Sequence, residues 1–408
     1  MTELSTAAGS PAGRSLRGPL AFAISCFLVW GLAYGLLDVL NKHFQETLHV
    51  TKAQSSLLQI AYFGAYLLMS IPAGMLMQRK GYKFGLVAGL LITAVGAFLF
   101  VPSAQVASFP FFVGSMFILA TGLCVLETHA DTYVSVLGKP EDAPKRLNLA
   151  QSFNSLGVFF GPIIGGSLFF NPAVEKTLGG AQQSVQLTYL VIGIAVVLFA
   201  VVLSRAWLPE IKLEDHGHAG PASGPSKPLI AQRHFVLGFI TQFIYIGAQV
   251  GIFAFFLNQA TETWAGMTTQ DAAFLFSIGV LCYLLGRFVT TALLVYISPR
   301  TILTIYGVAN VLLCFVAAAG IQKVSALALV PTFFFMGTMF PTIFTLGIRD
   351  LGDKTKRASS IMVMAIGGGI ALPYPMGMIG DLYGMPPAFL LPAAGFALVA
   401  YYGWRGSR

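Results

Sequence analysis

Charge is scarce in this sequence. Lys, Arg, Asp and Glu make up 10% of its 408 residues, where a water-soluble domain carries about a quarter. That shortfall excludes an ordinary soluble globular domain. Cysteine is sparse too: Cys26, Cys124, Cys282 and Cys314 stand singly in apolar surroundings. Their placement offers neither a disulfide framework nor the spacing of a metal site, and they read as small core residues. Also missing is the strict apolar–polar alternation over about 10 positions that marks the strands of a membrane β-barrel.

What is present is apolar sequence, 56% of the chain, with 34 Phe and 44 Gly. Spanning a hydrocarbon layer of about 30 Å takes about 20 apolar residues in a helix. Twelve such runs are legible, at 19–45, 55–78, 84–103, 109–137, 147–170, 185–208, 232–259, 270–298, 301–320, 324–348, 358–380 and 386–404. Lipid offers no partner to a loose backbone N–H or C=O, so runs of this kind must be helices. The expected fold class is an all-α membrane protein of twelve transmembrane helices.

The net charge of +8 is a matter of placement and gives no reason to expect a nucleic-acid partner. Alternate connections, counted with both tails, hold nineteen of the Lys and Arg residues. The other connections hold only Lys42, Lys52, Lys176 and Lys323, and Arg287 falls inside a span. By the positive-inside rule both termini and the middle loop are expected in the cytoplasm. The opening segment, MTELSTAAGSPAGRSLRG, is expected to be a short polar tail at 1–18. The run after it is too long for a signal peptide and lacks a small-residue cleavage site.

PEIKLEDHGHAGPASGPSKPLIAQR, from Pro209 to Arg233, has linker composition and divides the spans six and six. The expected units are 19–208 and 232–408, joined by a cytoplasmic linker at 209–231. The halves echo each other. KRLNLAQSFNSLGVFFGPIIGG begins at Lys145 and KRASSIMVMAIGGGIALPYPMG begins 211 residues later at Lys356. At that offset Gly157 aligns with Gly368, Pro162 with Pro373 and Gly166 with Gly377. Two parallel six-helix repeats resemble the major facilitator fold, in which substrate is expected near mid-membrane between the halves. The segment GMLMQRKGYK (Gly74 to Lys83) is similar to that superfamily's loop motif, with Gln78 where an aspartate is usual.

Of sixteen acidic residues, thirteen fall in tails, loops or span ends. The exceptions are Asp38, Glu127 and Asp131. An ionised side chain at mid-bilayer costs about 2.5–3.5 kcal/mol on insertion scales, so these groups should face protein or water. A carboxyl that alternates between charged and neutral forms is what proton coupling requires. Glu127 and Asp131 are four apart and share a helix face. Glu127 is the expected functional carboxyl, with Asp131 a turn nearer the cytoplasm, either a second relay stop or already in water. His129 points roughly the other way; packing against a neighbouring helix is the plainer reading, although an imidazole titrates in the range for a further proton stop.

Three polar faces suggest a lined cavity for an uncharged, hydroxyl-rich solute. In span 1 Trp30, Tyr34 and Asp38 recur every four residues, followed by Asn41. Span 5 carries Asn148, Gln151, Asn154 and Ser155, and span 7 carries Gln242, Tyr245 and Gln249. For each residue alone, core packing or helix–helix bonding competes with that reading. In span 11, IGGGIALPYPMG breaks a helix where a cavity wall or hinge would sit, so Gly368, Pro373 and Pro375 are candidate gating positions. Arg287, a lone cation in span 8, either gates the cavity or snorkels to the cytoplasmic edge; the first is preferred. No catalytic constellation and no metal-ligand spacing is visible.

The segments YGLLDVLNKHFQ, LETHADTYVSVLG, RLNLAQSF and PTIFTLGIRDLGDKTKRASSIMVMAIGGGI resemble the fucose:proton symporter family of sugar permeases. That resemblance implies that Asp38 and Glu127 are the protonation and coupling groups and that Gln151 belongs to the sugar site. The sequence departs from the family pattern at Thr128-His129-Ala130-Asp131, where Thr-Ala-Ala-Asn is usual, and at Leu37, often asparagine. The expectation is proton-coupled import of a hexose, deoxyhexose or amino sugar by alternating access, in a bacterial inner membrane. It has protons as coupling ion, no other cofactor, a sugar and the lipid bilayer as partners, and a monomer as the working unit. Proton-driven efflux of drugs or metabolites is the alternative, and a non-transporting sugar sensor is a third reading.

Overall fold

A computed structural model describes residues 16–138, 143–209, 228–351 and 355–407. The side chains at 143–145, 148, 355–357, 359 and 360 are not among those described. Most of the expected tail and linker, and the side chain of Asn148, therefore lie outside the described residues.

The described chain is helical, and its spans follow the apolar runs. Span 1 is Arg17–Thr47, span 2 Lys52–Lys80, span 3 Tyr82–Val106 and span 4 Phe109–Val136. Span 5 is Ala143–Phe169, span 6 Ala181–Arg205, span 7 Arg233–Thr263, span 8 Thr269–Leu293 and span 9 Pro299–Ala318. Span 10 is a pair, Gln322–Met336 and Met339–Gly347, bent by 41°. Span 11 is Ile361–Tyr383 and span 12 Pro386–Gly406. Among the described residues eleven helices are long and apolar enough to cross a bilayer, and the bent pair makes twelve. One element was not expected: a short helix at Pro172–Leu178 between spans 5 and 6, capped by the Asn171 side chain on Ala173 N–H at 3.0 Å.

With an even number of crossings, the first and last described residues share one face of the bundle, called here the terminal face. The opposite, distal face carries the 1–2, 7–8 and 11–12 connections.

Packing reproduces the repeat. Span 1 packs on span 5 and span 7 on span 11; span 3 packs on spans 4 and 6, and span 9 on span 12. Between halves, span 5 meets span 8 and span 11 meets span 2. The glycines aligned at the 211-residue offset occupy matching contacts. A Cβ on Gly157 would stand 2.6 Å from the Leu28 carbonyl of span 1, and one on Gly368 would collide with the Phe243 carbonyl of span 7. Gly166 lies under Ala273 of span 8, and Gly377 lies under Ala53 of span 2. Close approach of backbones, available only to a residue without a side chain, holds both the halves and their seam together.

The break in span 11 is also where the sequence places it. Its helix gives way to a 3-10 stretch over Ala365–Ile370 and resumes at Pro373. Proline supplies no N–H, so it fits the first turn of the resumed helix. Gly368 is pressed on span 7, Pro373 is buried and Pro375 half-buried.

Candidate functional site

Between the halves lies a cavity of about 570 Å³. Leu147, Thr291, Leu294, Pro299 and Thr345 line it near the terminal face, and Trp30, Tyr34, Tyr62 and Phe63 form its deep wall. Glu127 and Tyr66 stand on one side; Gln151, Asn154 and Ser155 of span 5 are on the same half. Gln249, Phe253, Tyr283 and Arg287 face them from the other half.

The structure brings eight residues of the sequence reading to one cavity: Trp30, Tyr34, Glu127, Gln151, Asn154, Ser155, Gln249 and Arg287. Arg287 does not snorkel. Its Nε donates to Gly337 O at 3.3 Å, Nη2 reaches the Tyr283 hydroxyl at 3.5 Å, and the guanidinium lies 5.5 Å from the Tyr283 ring centroid. Asn154 Nδ2 donates to Phe27 O at 3.4 Å, which ties span 5 to span 1. Gln151 Nε2 lies 3.5 Å from Asp131 Oδ1, so Asp131 is held behind the span-5 amide and does not line the cavity.

Asp38 is buried deeper, with Oδ1 accepting from Gln59 Nε2 at 3.2 Å. Span 2 then carries the contacts onward. Trp30 Nε1 donates to the Tyr62 hydroxyl at 3.1 Å, and the Tyr62 and Tyr66 hydroxyls are 3.4 Å apart. Tyr66 and Glu127 both line the cavity beside this group.

Three residues expected at the cavity lie away from it. Asn41 does not reach the cavity: it is fully buried, its Nδ2 donating to Ala254 O at 3.2 Å and lying 3.4 Å from Gln59 Oε1. Tyr245 is equally buried, and its hydroxyl donates to Met336 O of span 10 at 2.8 Å. Gln242 is buried with neither amide atom hydrogen-bonded in this conformation. Of the span-7 face only Gln249 meets the cavity. His129 turns to span 3, where its ring fills the space above Gly85. Its Nδ1 lies 2.7 Å from Val125 O; because a carbonyl only accepts, that nitrogen carries the proton. His129 therefore packs between helices, away from Glu127.

The distal end is closed by groups the sequence reading passed over. Lys52 Nζ lies 2.7 Å from Glu262 Oε1 and donates to Gly380 O at 2.8 Å. Asp381 accepts from the N–H groups of Lys52 and Ala53 at 2.8 and 3.0 Å, capping the first turn of span 2 across the seam. Glu262 Oε2 accepts from Met385 N–H at 2.7 Å. Below them Asn258 Nδ2 donates to Gln45 Oε1 at 2.6 Å. Every one of these bonds but the last-turn contact of Glu262 joins one half to the other. Charged residues at span ends read as loop charges in sequence; only the fold shows that they meet.

Comparison with known proteins agrees with this architecture. The Major Facilitator Superfamily matches residues 22–374. The chain is 34% identical over 383 residues to a glucose/galactose transporter of Brucella abortus, covering 94% of this chain and 92% of that protein. It is 35% identical over 419 residues to the L-fucose-proton symporter of Escherichia coli, covering 98% and 95%. A crystal structure of FucP in the outward conformation matches with a TM-score of 0.67 at 34% identity, over 97% of this chain and all of that one. By profile, by relatives along nearly its whole length and by fold, the chain belongs to the Major Facilitator Superfamily and, within it, to the fucose:proton symporter family of sugar permeases.

Proposed function

We propose that this protein imports a monosaccharide together with protons, by alternating access. Relatives named as glucose/galactose transporters and as L-fucose–proton symporters support the substrate class and the coupling ion. The observation that carries the reading is the composition of the cavity: a half-buried carboxyl, Glu127, among amides from both halves and a wall of aromatic rings. Amides donate to and accept from sugar hydroxyls, and aromatic faces pack on the C–H face of a pyranose. The described lining contains no methionine, whereas a pocket for varied apolar drugs draws on flexible Met-rich surfaces.

In this reading Trp30, Tyr34, Gln151, Asn154 and Gln249 hold the sugar. Asp38 and Glu127 carry the proton, Asp131 tunes Glu127 from a turn away, and Arg287 guards the opposite wall. Gly368, Pro373 and Pro375 form the hinge of span 11. Gly368 has no room for a side chain, so the 3-10 segment and span 7 move as a unit. The positive charge at the terminal face supports a cytoplasmic location for both ends. The cavity then opens inward while the Lys52–Glu262–Asp381 seal shuts the outside. Residues 19–208 and 232–408 are the rocking halves, 1–18 the tail and 209–231 the linker. The host membrane is a bacterial inner membrane, protons are the sole coupling agent, and the monomer is the working unit.

The test is uptake by purified protein in liposomes across a panel of monosaccharides, with an inward proton gradient. Accumulation of one or more hexoses or deoxyhexoses that collapses with an uncoupler supports the proposal. Accumulation indifferent to the uncoupler, or transport of no sugar in the panel, refutes it.

A further inference from the structure

A second cavity, of about 320 Å³, lies at the distal face where span 1 ends and spans 6 and 8 begin. It shares no residue with the central cavity. Both halves contribute walls. His43 and Glu46 come from span 1, Phe170 and Glu175 follow the end of span 5, and Thr269 opens span 8. Thr269 Oγ1 donates to Glu46 Oε1 at 2.7 Å, a bond that crosses the seam.

His43 is the group that calls for a ligand here. It is only 1% exposed, yet neither ring nitrogen has a hydrogen-bond partner. Its ring is held among Phe44, Phe169 and Phe170, with centroids 5.8, 5.3 and 5.7 Å away. A buried polar group left unpaired is costly, and a partner from outside the chain removes that cost. Glu175 adds a second open position: it is half-buried, and its carboxylate bonds no described residue.

The lining selects the chemistry of that partner. Glu46 and Glu175 only accept, the first N–H groups of spans 6 and 8 only donate, and an imidazole can do one of each. Two carboxylates beside two helix N-termini, with Lys42 Nζ 3.4 Å from Glu46, leave little net charge for an ion to balance. A neutral molecule with several hydroxyls fits such a set, because each hydroxyl both donates and accepts. The Phe170 ring supplies an apolar surface for C–H groups. Ligand pockets span about 300–1,000 Å³, so this one suits a single sugar ring and leaves no room for a longer saccharide.

We propose that this cavity is a second monosaccharide site, reached from outside the cell and complete only while the distal ends of the two halves are together. Opening of the distal face would draw Thr269 away from Glu46 and divide the site between the halves. Sugar bound there therefore favours the state in which the central cavity faces the cytoplasm.

This inference rests on the proposed sugar transport and its orientation, and one experiment separates the two. Radiolabelled D-glucose, D-galactose, L-fucose and D-glucosamine are each equilibrated with purified full-length wild type, Glu175→Ala, Ala181→Trp and Gln151→Ala. Bound sugar per chain is then counted. The expected result is two sites per wild-type chain for at least one neutral sugar. Glu175→Ala, which removes an acceptor, and Ala181→Trp, which fills the distal cavity, should each raise one Kd at least tenfold. Both should leave the other Kd within twofold, and Gln151→Ala should weaken only that other site. A single site per chain, or two sites that ignore both distal variants, overturns the second site and spares the proposed function. A second site that takes D-glucosamine alone assigns the cavity to an organic cation and overturns the sugar reading. If no form binds any sugar, the proposed function fails and this inference falls with it. Should one distal variant not fold, the other carries the same test.

Discussion

Lys52 and Glu262 meet at 2.7 Å, with side chains only 19% and 30% exposed, and they come from opposite halves of the chain. With Asp381 beneath the first turn of span 2, this pair forms a latch on the distal face. A partly exposed ion pair is worth up to about 1 kcal/mol. That is enough to change the ratio of two conformations about fivefold.

Removing the latch should therefore move the balance between states without harming the cavity. Glu262→Gln and Asp381→Asn should each increase labelling of a cysteine introduced at the distal seam, such as Gln45→Cys, several-fold. Sugar affinity should stay within about threefold. Unchanged labelling in both variants would show that the seam is held by packing alone.

His129 and Gly85 test whether the titratable group beside Glu127 has a packing role. A Cβ on Gly85 would collide with the His129 ring, and the ring is pinned by its bond to Val125 O. Gly85→Ala should destabilise by about 1–3 kcal/mol, the usual cost of overpacking. His129→Ala should relieve most of that in the double variant, read by thermal unfolding in detergent. His129→Ala alone should keep proton-driven uptake within about threefold. Loss of coupling with retained counterflow would restore His129 as a proton stop.

Sugar affinity should distinguish amides that line the cavity from those that do not. Gln151→Ala and Gln249→Ala each remove a group able to bond a hydroxyl, so the sugar Kd should rise about three- to tenfold. Gln242→Leu replaces a buried amide without hydrogen-bond partners, a change expected to be neutral or stabilising. Its Kd should move less than about twofold, measured by thermal shift against a sugar series. A larger effect at Gln242 than at Gln249 would reverse the assignment of the span-7 face.

These contrasts mark what a sequence can and cannot yield. Lipid forces apolar runs into helices, so the spans were legible. The 211-residue echo was equally legible, because Gly157 and Gly368 are both pressed against a backbone carbonyl where no side chain fits. Helical spacing also put Trp30, Tyr34, Gln151 and Asn154 on cavity-facing stripes. Spacing says which way a residue points along its own helix, but not which neighbour covers it. Hence Tyr245 met Met336 and Asn41 met Ala254 instead of the cavity. Tyr62 and Tyr66 were invisible for a different reason: aromatic residues are common in membrane helices, and only the hydroxyl-to-hydroxyl distance singles these two out.

The most direct measurement compares wild type and Glu127→Gln for two activities in the same liposomes. One is uphill sugar uptake under an inward proton gradient, and the other is counterflow with no gradient. The account predicts that the amide variant loses accumulation while exchange continues within a few-fold of wild type. Full accumulation by Glu127→Gln would contradict it, since an amide at that site cannot take up and release the coupling proton.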